Sequence, residues 1–175
     1  ADENFKHRMT GAVLLAMDHE WRRIHRGGSL RTSFWAGVVD FNGNFVHLCH
    51  RVKEEELLIP TLIECGGLAS GYVAEVHREH ERAKRLTLGI CDSVEQGDWE
   101  GVMRLVAMYV GFLRPHMQHE ELELFGTLST NLPSQTQAEL RAAFTLVEVR
   151  ALRGAGRRHF VDVAAELTRA AGIEY

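Results

Sequence analysis

Two copies of a His-x-x-x-Glu pattern constrain this chain more than any other feature. The first is His50 and Glu54 in the segment CHRVKEEELLIP, and the second is His116 and Glu120 in the segment PHMQHEELELF. In both copies a second acid follows at once, and two apolar residues close the segment. Side chains four residues apart lie on one face of a helix, one turn apart. One such pair is typical of a solvated surface, but two matching copies indicate two halves of one metal site in a helical bundle.

The apolar spacing predicts four long helices joined by short turns, with no convincing strand alternation. Gly27-Gly28 and Gly66-Gly67 are predicted to end the first two helices, and Asp98 is predicted to cap the fourth. The predicted helical ranges are residues 4–27, 30–65, 70–93 and 99–128, followed by 135–153 and 158–171. We therefore expect an all-α, up-down four-helix bundle over residues 1–130, with a C-terminal helical extension, residues 131–175, packed on it.

Composition narrows the classes of partner and compartment. The net charge is −4 and no basic tract occurs, so no nucleic acid partner is expected. No apolar run approaches the roughly 18–20 residues that span a bilayer, so no membrane partner is expected either. The three cysteines are odd in number and widely spaced, without a CxxC motif. This pattern favours reduced thiols in a cytoplasmic protein.

Each predicted bundle helix carries a histidine near its middle, and two of the helices add a carboxylate one turn later. The candidate metal ligands are His19, His50, Glu54, His80, His116 and Glu120. A single histidine on an apolar face is more often a core residue than a ligand. Four histidines, one in each helix, together with two acids would be costly to bury without a cation. In helical bundles such inward carboxylates bridge two metal ions, and this donor set suits iron or manganese better than a closed zinc site.

The same residues carry a resemblance to a known family. Four blocks follow one another in the chain: Met17-Asp18-His19, the segment CHRVKEEELLIP, Glu79-His80-Glu81-Arg82, and LRPHMQHEE from Leu113. In this order, over about residues 9–125, the chain resembles the hemerythrin-like, HHE cation-binding family. The resemblance implies a four-helix bundle holding two non-haem iron ions, often oxo- or hydroxo-bridged, with manganese or zinc less favoured. It implies that the histidines at 19, 50, 80 and 116 are terminal ligands and that Glu54 and Glu120 bridge the two ions.

Some positions depart from the pattern of the family. Arg51 stands where many relatives have a histidine or an acid, and Val76 stands where better-known members have a second histidine in the third helix. Because of these two departures, the sequence does not decide whether the second metal position is occupied. Glu148 or His159 of the C-terminal region is a candidate substitute ligand, although surface solvation is favoured for both. The remaining histidines considered, at positions 7, 47 and 119, are expected to support the ligands or to lie at the surface.

Three functions follow from these observations. The first is binding or sensing of a small diatomic ligand (O2 or NO) or of peroxide at the metal site. The second is an enzyme with catalase-like, peroxidase or ferroxidase activity, for which Tyr72, Tyr109 and His77 are the candidate proton donors. The third is a metal-poor helical domain that acts through partners, motivated by Arg51 and Val76. The sequence leaves the oligomeric state open, with a homodimer as one option.

Overall fold

All regular structure is helical in the residues that the computed structural model describes, which are 2–152 and 156–173, without the side chains of 2–4 and 129–131. The helices are α1, Asp2–His25; α2, residues 32–64; α3, Ser70–Gln96; α4, residues 99–131; α5, Ser134–Ala151; and α6, Gly156–Ala170. The all-α prediction is therefore confirmed, with two further helices after the bundle. Among the described residues, no helix combines the length and the hydropathy that crossing a bilayer requires.

The turns between the bundle helices are short, as the sequence predicts. Gly27 adopts φ +90° just after α1, and Gly97 adopts φ +68° just after α3, a left-handed conformation that glycine reaches without steric cost. The carboxylate of Asp98 then accepts a hydrogen bond of 3.0 Å from the backbone N–H of Gly101, so the predicted cap of α4 is confirmed. Short turns of this kind place consecutive helices side by side and antiparallel.

Two of the rods contain wider, π-helical turns that the sequence pattern did not predict. In α2 these are Phe41–His50 and Glu54–Leu58, and in α4 the segment is Glu121–Phe125. Pro60 lies two residues after the second segment, and its ring would crowd the carbonyl four residues earlier, that of Glu56, in a regular helix. We attribute the widening there to relief of this crowding.

The C-terminal helices pack against the side of the bundle that α1 and α2 share. α3 and α4 pack closely on each other, α1 packs on α4, and α6 contacts both α1 and α2, while α5 lies along α2. Gly37 allows the close approach of α6, since a Cβ at this position would lie 3.2 Å from Leu167 of α6. Phe160 and Leu167 belong to the same buried apolar cluster as the bundle residues Trp35 and Met9. The boundary at residue 130 stays a prediction.

A buried ionic cluster joins α5 to the bundle. Lys6 of α1 and Lys53 of α2 have no exposed side-chain area, and their Nζ atoms lie 3.6 and 2.7 Å from Oε2 of Glu148 in α5. Arg157 of α6 donates two more hydrogen bonds to the same carboxylate, of 2.7 and 2.9 Å. Burial alone would raise the pKa of Glu148, but the bonds from Arg157 and Lys53 hold this pKa at about 2.

Two residues considered as substitute ligands are therefore engaged elsewhere. Glu148 pairs with the buried lysines and with Arg157 rather than with the histidines of the bundle. His159 lies at the surface, where its Nε2 is 2.9 Å from Oδ2 of Asp40.

We expect the replacement Glu148→Gln to lower the free energy of unfolding by about 3 kcal/mol, because it leaves Lys6 and Lys53 buried without their anion. Urea denaturation followed by circular dichroism measures this change. Glu139→Gln is the matched control, since Glu139 is an exposed acid of the same helix. Equal stability of the two variants would show that the lysines do not depend on Glu148.

Candidate metal centre

Six buried side chains converge inside the bundle. They are His7 of α1, His50 and Glu54 of α2, His80 of α3, and His116 and Glu120 of α4. Each bundle helix thus contributes one imidazole, and α2 and α4 each add a carboxylate one turn further on. The sequence predicted five of these six side chains, and the structure brings those five together.

The first half of the site combines donors from three helices. The ligand atoms of His7, His50, Glu54 and Glu120 all lie within 4.8 Å of one another. The imidazoles of His7 and His50 meet edge to face, with their Nε2 atoms 3.1 Å apart. Oε1 of Glu54 lies 3.4 Å from Nε2 of His50, and Oε2 of Glu120 lies 3.6 Å from Nε2 of His7. Four nitrogen and oxygen donors therefore surround one point.

The second half uses the other oxygen of each carboxylate. Oε1 of Glu120 lies 3.0 Å from Nε2 of His80 and 3.1 Å from Nε2 of His116. Oε2 of Glu54 lies 3.3 Å from Nε2 of His80. Glu54 and Glu120 each direct one oxygen to each pair of histidines, which is the arrangement that bridging carboxylates require.

The donor set fits cations better than it fits an empty protein interior. Both oxygens of Glu54 and Oε2 of Glu120 are buried without a hydrogen-bond partner among the described residues. Burial, and then the charge of Glu120, raises the pKa of Glu54. Burial also acts against the charge of Glu120, but hydrogen bonds from His116 and His80 keep its pKa well below the ordinary value. Imidazole and carboxylate donors of this kind suit divalent iron, manganese or zinc.

Three of the four imidazoles are held by a second carboxylate at their outer nitrogen. The pairs are His80 Nδ1 with Glu55 at 2.8 Å, His116 Nδ1 with Glu79 at 2.8 Å, and His7 Nδ1 with Glu121 at 3.3 Å. A proton held at Nδ1 by such a carboxylate leaves the lone pair of Nε2 directed into the site. This explains the second acid in both copies of the motif, since Glu55 and Glu121 each orient a histidine of another helix.

Arg51 takes part in the same support. Its Nε donates a 3.0 Å hydrogen bond to Glu55, and a second nitrogen bonds Glu81 of α3. Burial would raise the pKa of Glu55, but bonds from His80 and Arg51 lower this pKa to about 2, so the carboxylate stays charged beside the imidazole. Arg51 therefore fixes the carboxylate that orients His80.

His19 does not join the cluster, which corrects the sequence prediction for the first helix. Its side chain is exposed and lines a different depression, and it lies twelve residues, or about 18 Å, along α1 from His7. His7, which the sequence analysis placed in support or at the surface, is buried and takes the place expected of His19. α1 thus still contributes one imidazole, and each half of the site has two.

The distance of each histidine from the turns would have identified His7. Antiparallel neighbours place residues at one level when they lie equally far from the turn that joins them. The number of residues from His7 to the end of α1 equals the number from the start of α2 to His50. His7 and His50 therefore lie at the same level of the bundle. His80 and His116 likewise lie almost equally far from the turn between α3 and α4. His19 lies much closer to the end of α1, so it is at the wrong level.

Val76, His77 and His119 lie near the site but are not among the six converging side chains. Val76 is buried in the smaller apolar cluster of the bundle. His77 is half exposed, with its Nδ1 3.3 Å from Glu55. His119 packs edge-on against the ring of Tyr72 at 5.0 Å.

A small cavity adjoins five of the six side chains, all except Glu54. Its remaining walls are Thr10, Val46, His47, Arg51, Ala83, Leu113 and Met117. The space open to the centres of water-sized molecules is about 20 Å³, enough for one very small molecule. Nε2 of His47 lies 2.8 Å from the hydroxyl of Thr87. Burial, and then the charge of Arg51, lowers the pKa of His47 to about 4, so His47 is uncharged at neutral pH beside the charged Arg51.

The comparisons agree with this donor set. A family model described as the hemerythrin HHE cation binding domain matches residues 5–128, a range that contains all six converging side chains. Comparison with curated proteins and with solved structures gave no significant match.

We expect His7→Ala to weaken binding of one divalent ion at least tenfold, because it removes one of the two imidazoles of the first half. Isothermal titration with Co²⁺ or Fe²⁺ under anaerobic conditions measures the affinity and the number of ions. His19→Ala on the same helix is the matched control and should bind as the native chain does. A loss with His19→Ala and none with His7→Ala would restore the sequence prediction.

His47 should make stability depend on pH. Its folded pKa of about 4 lies below the unfolded value of 6.5, so only the unfolded chain takes up this proton as the pH falls below about 7. His47 therefore removes about 1–2 kcal/mol of stability between pH 7 and pH 5. The native chain and the variant His47→Gln are compared by urea unfolding at both pH values in metal-free buffer. Equal changes in the two proteins would contradict the buried neutral state.

Proposed function

The chain belongs to the hemerythrin HHE cation-binding family, and from this premise we propose that it holds two non-haem iron ions and binds or senses O2, NO or peroxide beside them. The observation that carries the proposal is the placement of Glu54 and Glu120, each of which directs one oxygen to each pair of histidines. Manganese and zinc are the less favoured occupants.

The protein's own part in this function is to hold and shield the site. When bound, the ions would supply open coordination positions and electrons to a small ligand. Glu55, Glu79 and Glu121 retain protons at the outer nitrogens of three imidazoles and thereby keep the inner nitrogens available. The small size of the cavity limits the ligand to a few atoms.

An enzyme on the same site is the second candidate, and Tyr72 favours it. The hydroxyl of Tyr72 is buried without a hydrogen-bond partner among the described residues. Burial first, and then the charges of Glu120 and Glu54, raise the pKa of this hydroxyl, so it keeps its proton at neutral pH. A protonated hydroxyl near the carboxylates could donate a hydrogen bond to a peroxide in the site, although its raised pKa makes it a weak acid.

We also propose a cytoplasmic location and a small-molecule partner rather than nucleic acid or a membrane. The three cysteines, Cys49, Cys65 and Cys91, are all free thiols, as in reducing compartments. The net charge of −4 does not favour association with polyanions such as nucleic acids.

Purified aerobically, the protein should contain about two iron ions per chain and show charge-transfer bands in the visible spectrum that change with azide. Glu54→Ala should remove both ions, because its carboxylate serves both halves. Elemental analysis and absorption spectroscopy measure these outcomes. Glu56→Ala, an exposed acid of the same run, is the matched control and should keep the iron.

The other results of this experiment separate the candidates. Full iron content in Glu54→Ala would contradict the bridging role. Absence of metal, or the presence of zinc alone, would contradict the iron proposal. The remaining candidate would then be a helical domain that acts through partners. Rapid consumption of hydrogen peroxide by the iron-loaded protein would identify the enzyme, and stable ligand adducts without turnover would identify the binding protein.

A further inference from the structure

A second depression lies near the C-terminal end of α1, far along the helix from the metal centre. We name it the arginine pocket, and its volume is about 840 Å³. Its charged lining includes Arg22, Arg23, Arg26, Arg31 and Arg114. These arginines come from α1, from the residue before α2 and from α4, so three parts of the chain bring them together.

The acids in this pocket compensate only part of the positive charge. Asp18 pairs with Arg22 at 3.1 Å, and Glu20 pairs with both Arg23 and Arg31. For the other two arginines, Arg26 and Arg114, the structure gives no ion pair among the described residues. Five guanidinium groups against two carboxylates leave a local charge of about +3 in a chain whose net charge is −4.

Glu20 fixes two of the guanidinium groups in place. Its carboxylate has no exposed area and accepts hydrogen bonds of 2.8 and 2.7 Å from Arg23 and of 3.0 Å from Nε of Arg31. Burial would raise the pKa of Glu20, but these bonds hold this pKa at about 2. Arg31 also donates a 2.7 Å bond to the carbonyl of Ala170 at the end of α6. Arg23 and Arg31 are therefore fixed positive charges in the wall of the pocket beside Arg26 and Arg114, and fixed groups lose little entropy when an anion binds near them.

An apolar depression adjoins the arginine pocket. It measures about 410 Å³, shares Asp18 and Arg114 with the arginine pocket, and is lined by Trp21, Val110 and Pro115 among others. Trp21 is held in place, because its indole N–H donates a 2.9 Å bond to the carbonyl of Met103. A ligand that spans both depressions would meet positive charge at one end and an aromatic, apolar wall at the other.

Helix stability alone does not account for this arrangement. Arginines in the last turn of a helix interact favourably with its dipole, which explains Arg22 and Arg23. It does not explain Arg31 and Arg114, which reach the same pocket from elsewhere. The basic side chains line one concave site on an acidic chain, which favours a small anion over a polymer such as RNA.

We propose that the arginine pocket binds a small phosphorylated molecule, with its phosphates against Arg26 and Arg114 and its apolar part against Trp21. This inference is independent of the proposed metal function, because the arginine pocket contains none of the six converging side chains.

Isothermal titration of the metal-loaded full chain tests the proposal with three probes: ADP, pyrophosphate and adenosine. We expect ADP to bind most tightly, pyrophosphate more weakly, and adenosine least. The double variant Arg26→Ala/Arg114→Ala should bind ADP at least tenfold more weakly and keep its metal content. Arg104→Ala, an exposed arginine of α4 outside the pocket, is the matched control and should bind ADP as the native chain does.

Several results would overturn the proposal. One is no heat of binding with ADP at low salt, and another is equal weakening in Arg104→Ala, which would indicate unspecific attraction. Chelation of the metal by phosphate would not respond to Arg26 and Arg114, so binding that survives the double variant also contradicts the pocket. If pyrophosphate bound as tightly as ADP, the proposed contact between the apolar part of the ligand and Trp21 would be contradicted. If an RNA oligomer or anionic vesicles bound more tightly than ADP, the proposal of a small ligand would be contradicted.

Discussion

The burial of two carboxylates at the centre of the bundle is the constraint on which the rest of this structure depends. Glu54 and Glu120 have almost no exposed area, and three of their four oxygens lack a hydrogen bond among the described residues. Such charges are costly to bury without a cation. Ions bound between them would join donors from all four bundle helices. Metal affinity and stability of the fold are therefore linked, because whatever binds only the folded chain also stabilises it.

The backbone is irregular at the residues that carry these donors. The π-helical segment Phe41–His50 ends at His50, Glu54–Leu58 begins at Glu54, and Glu121–Phe125 follows Glu120 directly. A wider turn changes the direction of the side chains beside it, and such turns often occur at functional sites. A sequence pattern read with a period of 3.6 residues places a helix correctly but does not locate turns of this kind, and Pro60 is a local signal for only one of the three segments.

Sequence reasoning was strongest within one helix and weakest between helices. The i, i+4 spacing placed His50 with Glu54 and His116 with Glu120, because both members of each pair lie on one rod. The choice of His19 was wrong because it rested on a motif within the first helix. It did not take into account which residues of the antiparallel second helix lie at the same level. Likewise Arg51, an apparent departure from the family, is explained only by Glu55 and by a histidine of another helix.

The buried lysines connect the metal centre to the C-terminal helices. Lys6 directly precedes His7, and Lys53 directly precedes Glu54. Successive residues of a helix point about 100° apart, so each of these turns sends a donor inward and a lysine toward Glu148 of α5. A shift of α5 against the bundle must therefore move the same two turns that carry the candidate donors His7 and Glu54. The C-terminal extension thus becomes part of the support of the first half of the site.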